Sequence, residues 1–202
     1  TVFDVYDNNL LKSYGVSWVV WDKDKDFKYD ENIHLDEPHC YYEKGDKCLR
    51  KFIKFIINPP EGVIYRPIGF NNSRFDNFAL CSEARYMNVL NNVFMADGSI
   101  LYCSITGCKN TWDASRFLTG QSLEMACNSY KTNPRKRKDL IDHYEIQCYF
   151  ERNGWSGLNH LLDTKKDLVI YNKIDCLCLL DLVLKMRSAY MYLFDEDVFN
   201  YL

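Results

Sequence analysis

Gly69-Phe70-Asn71-Asn72-Ser73-Arg74-Phe75-Asp76-Asn77-Phe78 is the stretch whose reading decides the fold. It follows the apolar run Gly62-Val63-Ile64-Tyr65-Arg66-Pro67-Ile68, which reads as a buried strand. It runs into Asn77-Phe78-Ala79-Leu80-Cys81-Ser82-Glu83-Ala84-Arg85-Tyr86, which reads as the start of a helix. Asn72 and Asp76 therefore sit four apart, with Phe75 between them, where a strand hands over to a helix. Ligands collect at strand ends in α/β proteins. The plainest role for Asp76 is an N-cap, although folding does not require an acid there, since Ser or Asn caps a helix as well.

Working outward, Thr1 to Tyr6 is a short strand with Asp4 in its middle, and Asp7-Asn8-Asn9 is a turn. Tyr14-Gly15-Val16-Ser17-Trp18-Val19-Val20-Trp21 is the strongest strand signal in the chain. After the polar turn Asp22 to Asp26, Phe27-Lys28-Tyr29 predicts the start of a third, antiparallel strand. Residues 30–46 read as an acidic loop. Apolar positions 49, 52, 53, 56 and 57 have helical spacing, and Asn58-Pro59-Pro60 ends that helix. Beyond the central stretch, Asp97-Gly98 between two apolar runs predicts a hairpin. Thr111-Trp112-Asp113-Ala114 adds a sheet segment, and Ser122 to Cys127 a short helix. Residues 142–152 and 168–184 are helical, the last carrying Asp175 and Asp181 in an otherwise apolar surface. This order predicts one α/β domain over residues 1–202, a mixed sheet flanked by helices in a ribonuclease-H-like layout.

Bulk properties narrow the choices. The 202 residues are 47% hydrophobic and 26% charged, as in a soluble globular domain. No apolar run is long enough to span a bilayer. With a net charge of −3 there is no global basic field, so any nucleic-acid contact must be local. The basic run Lys131 to Lys138 is one such place, or simply a solvated loop. Nine cysteines, an odd number set mostly in apolar runs, predict free thiols in a reducing, intracellular compartment. His39, Cys40 and Cys48 have the chemistry to hold a metal, or are incidental to a loop. The lean toward Tyr, Phe, Asn, Ile and Lys fits an AT-rich coding genome, viral or mitochondrial.

Three acids carry the chemistry: Asp4 on the first strand, Asp76 at the corner and Asp175 on the last helix. Metal-assisted phosphodiester hydrolysis needs carboxylates converging on two divalent ions about 3.5–4 Å apart. Hard oxygen ligands suit Mg²⁺ or Mn²⁺. Tyr171, one helical turn before Asp175, lies on the same face. Asn72-Ser73-Arg74-Phe75-Asp76 resembles the second exonuclease motif of family B DNA polymerases, Asn-x-x-x-(Phe/Tyr)-Asp. Tyr171-Asn172-Lys173-Ile174-Asp175 resembles the third, Tyr-x-x-x-Asp. The hairpin, Trp112-Asp113-Ala114-Ser115, Lys138 and Tyr144 are similar to features of the protein-primed branch found in phages, viruses and linear plasmids. The resemblance spans nearly the whole chain, without polymerase palm or fingers.

The resemblance implies a 3′–5′ exonuclease domain in which Asp4, Asp76 and Asp175 ligate Mg²⁺ or Mn²⁺. Tyr171 would orient the attacking water and Lys138 would sit near the scissile phosphate. Asn72, Phe75, Tyr144 and Ser115 would contact the single-stranded DNA 3′ end. The first motif departs from the family's Asp-x-Glu: Phe3-Asp4-Val5-Tyr6 places Tyr6 where the second acid belongs. Sliding the register puts Asp7 in the Asp place and Asn9 in the Glu place. Tyr6 is not an anionic ligand at neutral pH, so nuclease activity is expected to be weak or lost. The alternative is a retired nuclease fold serving as a structural or nucleic-acid-binding subunit of a larger protein or ribonucleoprotein assembly. Ala114-Ser115 stands where the branch usually carries Ser/Thr-Leu.

Overall fold

The computed structural model describes residues 2–8, 10–35, 39–135 and 142–201. Its first sheet is built on the segment with the strongest strand signal. Strand β2 (Leu10–Val19) is central, with β1 (Val2–Asp7) and β3 (Cys40–Lys44) antiparallel on either side. The third strand is thus not the segment at Phe27 but Cys40–Lys44, inside the stretch expected to be loop. Its Tyr41, Tyr42 and Cys40 supply the strand propensity, and the pairing is long-range: Ser17 lies opposite Tyr42. Between β1 and β2 the register shifts, with Asp4 opposite Ser13 and Phe3 opposite Gly15. Tyr14 is the extra residue of that bulge, and its ring is fully buried.

A short helix α1 (Glu31–His34) lies in the β2–β3 connection, and α2 (Cys48–Ile57) follows β3. Leu49, Ile53 and Ile56 of α2 are buried at the predicted helical spacing. Asn58 Nδ2 donates to the Lys54 carbonyl (2.7 Å) where the helix stops. The run from Gly62 does not form the expected strand. Val63 and Ile64 are exposed, and Pro67 has no N–H to give a ladder. Only Ile68–Gly69 (β4) pairs, parallel to Trp112–Asp113 (β7). The approach is irregular but bonded: Lys109 N–H donates to Tyr65 O and Trp112 N–H to Pro67 O.

Helix α3 (Asp76–Tyr86) and the hairpin β5 (Leu90–Ala96)–β6 (Ser99–Ile105) form as expected. Asp97 and Gly98 both have positive φ (49° and 70°), the backbone of a two-residue turn whose twist matches its strands. Ile53 and Ile56 of α2, Leu80, Cys81 and Ala84 of α3, and Ile100, Cys103 and Ile105 of β6 share one core. The frame is therefore mixed α/β, with three small sheets in place of the single mixed sheet expected.

Helices α4 (Leu123–Ser129), α5 (His143–Thr164) and α6 (Lys166–Phe194) complete it. Ser122 and Asp142 cap α4 and α5 through their side chains. Gly154 (φ 61°) breaks α5 midway. The 29-residue α6 runs well past the predicted 184 and ends on left-handed Asp195. It is a spine serving several cores. Leu168 and Tyr171 join Val5 and Tyr14; Ile174, Cys178 and Leu182 join Leu118 and Cys127; Leu179 and Val183 join Trp112, Ala114 and Val198. All nine cysteines are free thiols, as their number and setting predicted. Among the described residues, no helix is long and apolar enough to cross a membrane.

Candidate nucleic-acid and metal site

The corner between β4 and α3 is held by an acid that the sequence reading did not single out. Asp113, at the end of β7, is 1% exposed. One carboxylate oxygen accepts from Asn71 N–H (2.8 Å), Ser115 N–H (3.0 Å) and Ser115 Oγ–H (2.7 Å). The other accepts from Ser73 N–H (2.9 Å) and from the Ser73 hydroxyl. Asn71 is left-handed (φ 59°), and its backbone N–H is one of those anchored. Parallel pairing of β4 with β7 brings the two segments together, since Gly69 lies opposite Asp113. The only local signal was Asp-Ala-Ser, the pattern of an acid capping a following turn.

Asn72 turns inward at this corner. Its Nδ2 donates to Asn77 Oδ1 and to Trp112 O, both at 3.2 Å, while Asn77 Nδ2 donates to Ile100 O (3.0 Å). Asn72 packs on Gly69 so closely that a Cβ there would lie 2.7 Å from Asn72 Cβ and Cγ. Its Oδ1 meets no hydrogen-bond donor among the described residues. Ser115 is likewise committed to Asp113. The residues of this group that face outward are Phe75, 56% exposed, and Tyr144, 77% exposed. Lys138 lies outside the described residues.

Phe75, not Asp76, occupies the N-cap of α3, with no side-chain cap bond, which corrects the N-cap reading of Asp76. Asp76 is the first helical residue, where the helix dipole favours a carboxylate. The charge of Asp76 acts on Asp4 of β1. Burial pushes the Asp4 carboxyl above its ordinary range, the Ser13 hydrogen bond pulls it back, and the Asp76 charge adds to the rise. The two acids are therefore within electrostatic reach of each other. Asp4 Oδ1 is buried and meets no donor among the described residues. The Asp4 charge also reaches Cys48 at the start of α2, whose thiol is pushed up to about 12, chiefly by burial.

The other candidates of the first motif are occupied elsewhere. Tyr6 is 60% exposed, and the Gln147 amide brackets its backbone at 3.0 and 3.1 Å. Lys12 (2.7 Å) and Trp155 Nε1 (3.3 Å) bond Asp7 and hold its carboxyl below the usual range. Tyr171 and Asp175 are both buried on α6. Tyr171 shares a core with Val5, and Val5 and Asp4 point to opposite faces of β1. Asp4, Asp76 and Asp175 supply hard oxygen ligands of the kind Mg²⁺ or Mn²⁺ takes. Among the described residues, however, no three His, Cys, Asp or Glu side chains stand close enough together to hold one ion. The Asp76 charge acts on Asp4, while Asp175 is buried on α6.

Compared with known proteins, the chain matches no family model, no curated protein sequence and no solved structure. The site is thus described by its own residues: a hydrogen-bonded corner with an exposed aromatic ring, and the Asp4 carboxyl, whose ionisation the Asp76 charge opposes.

Proposed function

We propose that the chain is a ribonuclease-H-like domain of the 3′–5′ exonuclease type, related to the proofreading domains of family B DNA polymerases. Two-metal hydrolysis is weak or lost in it, and the corner at Phe75 binds the 3′ end of a single strand. The observation that carries this reading is the Asp4 carboxylate, whose Oδ1 is buried without a donor among the described residues and whose ionisation the Asp76 charge opposes. Burial and the Asp76 charge both disfavour the ionised form of Asp4, and the Ser13 hydrogen bond offsets only part of that. Polar groups kept at such a cost cluster at functional sites. The departure at Tyr6 from the family's first motif supports loss of hydrolysis. Phe75 offers a base a stacking face, and Arg74, exposed beside it, offers a phosphate a cation.

Labelled single-stranded DNA incubated with Mg²⁺ or Mn²⁺ tests the first half. Little or no mononucleotide release is expected. Rapid release that disappears in Asp76→Ala would overturn the loss of activity. Fluorescence anisotropy with the same oligonucleotide tests the second half. Removing one stacking ring costs about 1–3 kcal/mol, so Phe75→Ala should weaken binding roughly five- to 150-fold. Equal binding by wild type and Phe75→Ala would take the corner out of the interface.

A further inference from the structure

The connection between β2 and β3 closes into a box of five aromatic rings, unrelated to the corner at Phe75. His34 is at its centre, with ring centroids 5.8 Å from Trp21, 5.1 Å from Phe27, 6.2 Å from Tyr29 and 5.4 Å from His39. Trp21 also lies 6.3 Å from His39. His34 is buried, and its Nδ1 is fixed on the backbone of Asp30, 2.9 Å from the amide nitrogen and 3.0 Å from the carbonyl oxygen. With Nδ1 committed there, Nε2 is the ring nitrogen left for another partner.

We propose that His34 and His39 form a two-imidazole site for a late divalent transition ion, Zn²⁺, Ni²⁺ or Cu²⁺. Imidazole is the side-chain ligand these ions share. Two imidazoles bound to one tetrahedral ion at about 2.1 Å per bond place their centroids roughly 5 Å apart. The observed separation is 5.4 Å, with the ring planes inclined at 58°. The Asp30 carbonyl is the outer partner that a metal-bound imidazole uses. On binding, the ion takes the place of the proton on His34 Nε2, and that proton passes by way of solvent to Nδ1, which until then accepted from the Asp30 N–H. Nδ1 then carries a proton and donates it to the Asp30 carbonyl. Among the described residues, no third His, Cys, Asp or Glu joins the two rings. Trp21, Phe27 and Tyr29 wall the site and limit solvent access. The same connection is tied to the spine, since Lys173 Nζ donates to Leu35 O (2.6 Å), so a bound ion would brace β2, β3 and α6 together.

Titration of the full chain with Ni²⁺, followed by tryptophan fluorescence and equilibrium dialysis, tests this. One ion per chain and saturable quenching are expected, because Trp21 is the tryptophan packed on both imidazoles. Zn²⁺ should compete. Loss of one of two ligands should weaken binding about tenfold or more in His39→Ala, while His160→Ala binds as wild type does. Trp21→Phe should keep the ion and lose most of the quenching. In wild type, bound Ni²⁺ should protect His34 and His39 from carbethoxylation, read by peptide mass spectrometry, which needs no variant to fold. Unchanged affinity in His39→Ala, or equal modification of both histidines with and without Ni²⁺, overturns the proposal.

Discussion

Asp113 and Asp4 are two carboxylates drawn into the same frame with opposite surroundings. Asp113 accepts hydrogen bonds from three backbone N–H groups and two hydroxyls, and no cation is needed to keep it there. Asp4 has the help of Ser13 but faces the charge of Asp76 and keeps one oxygen without a donor among the described residues. The first acid builds the corner and the second sits beside it. A buried acid with every lone pair answered belongs to the scaffold. A half-buried acid left short of donors and set against a like charge points to a role other than stability.

The most severe way to break this contrast is to remove the scaffold acid. Asp113→Ala leaves five donors without their acceptor, three of them backbone groups at the corner and the turn that follows. Uncompensated buried groups of this kind cost several kcal/mol together, so a loss of about 3–5 kcal/mol is expected from urea denaturation. Asp113→Asn keeps the shape and part of the bonding, and should recover about half of it. A cost below about 1 kcal/mol for Asp113→Ala would mean that water replaces the carboxylate and the corner does not depend on it.

A smaller effect tests the packing beneath the same corner. Gly69→Ala places a Cβ 2.7 Å from Asn72 and 2.8 Å from its Nδ2. Overpacking of this kind costs about 1–3 kcal/mol, seen as a lower melting temperature. Because the contacts fall on the Asn72 side chain, Gly69→Ala combined with Asn72→Ala should cost less than the two single changes summed. Strict additivity would place the strain in the backbone instead.

The contrast also explains how much was legible in the sequence. Helices α2, α3 and α6 and the Asp97-Gly98 hairpin follow from local spacing and turn chemistry, and they form at the expected places, with α6 extending past its expected end to Phe194. Strand β3 was not legible, because Cys40–Lys44 carries two charges and becomes a strand by pairing with β2. The run before Ile68 failed for a local reason, the missing N–H of Pro67. Asp4 and Asp76 were picked out by the motif resemblance, and the charge of Asp76 reaches Asp4. Asp113 was not, since its role depends on parallel pairing between two-residue strands far apart in the chain. Helical spacing aligns Asp175 with Tyr171, but it says nothing of which face of β1 that stripe meets.

The finest test reverses the sign. Asp4→Asn should stabilise the chain at neutral pH, by less than about 1 kcal/mol. The carboxyl is raised in the fold by burial, and the Asp76 charge adds to the rise despite Ser13. Below the ordinary aspartate value of about 3.9, Asp4 is protonated in both folded and unfolded chains and costs nothing. As pH rises through the raised folded value, the unfolded chain ionises more readily, and the wild type loses stability relative to the variant until both states are ionised. Urea midpoints of wild type and Asp4→Asn, compared from acid to neutral pH, should therefore converge at the acid end and separate with the variant ahead. If the variant is the less stable protein at neutral pH, Asp4 is a satisfied scaffold acid like Asp113. The case for a site at the corner would then rest on Phe75 alone.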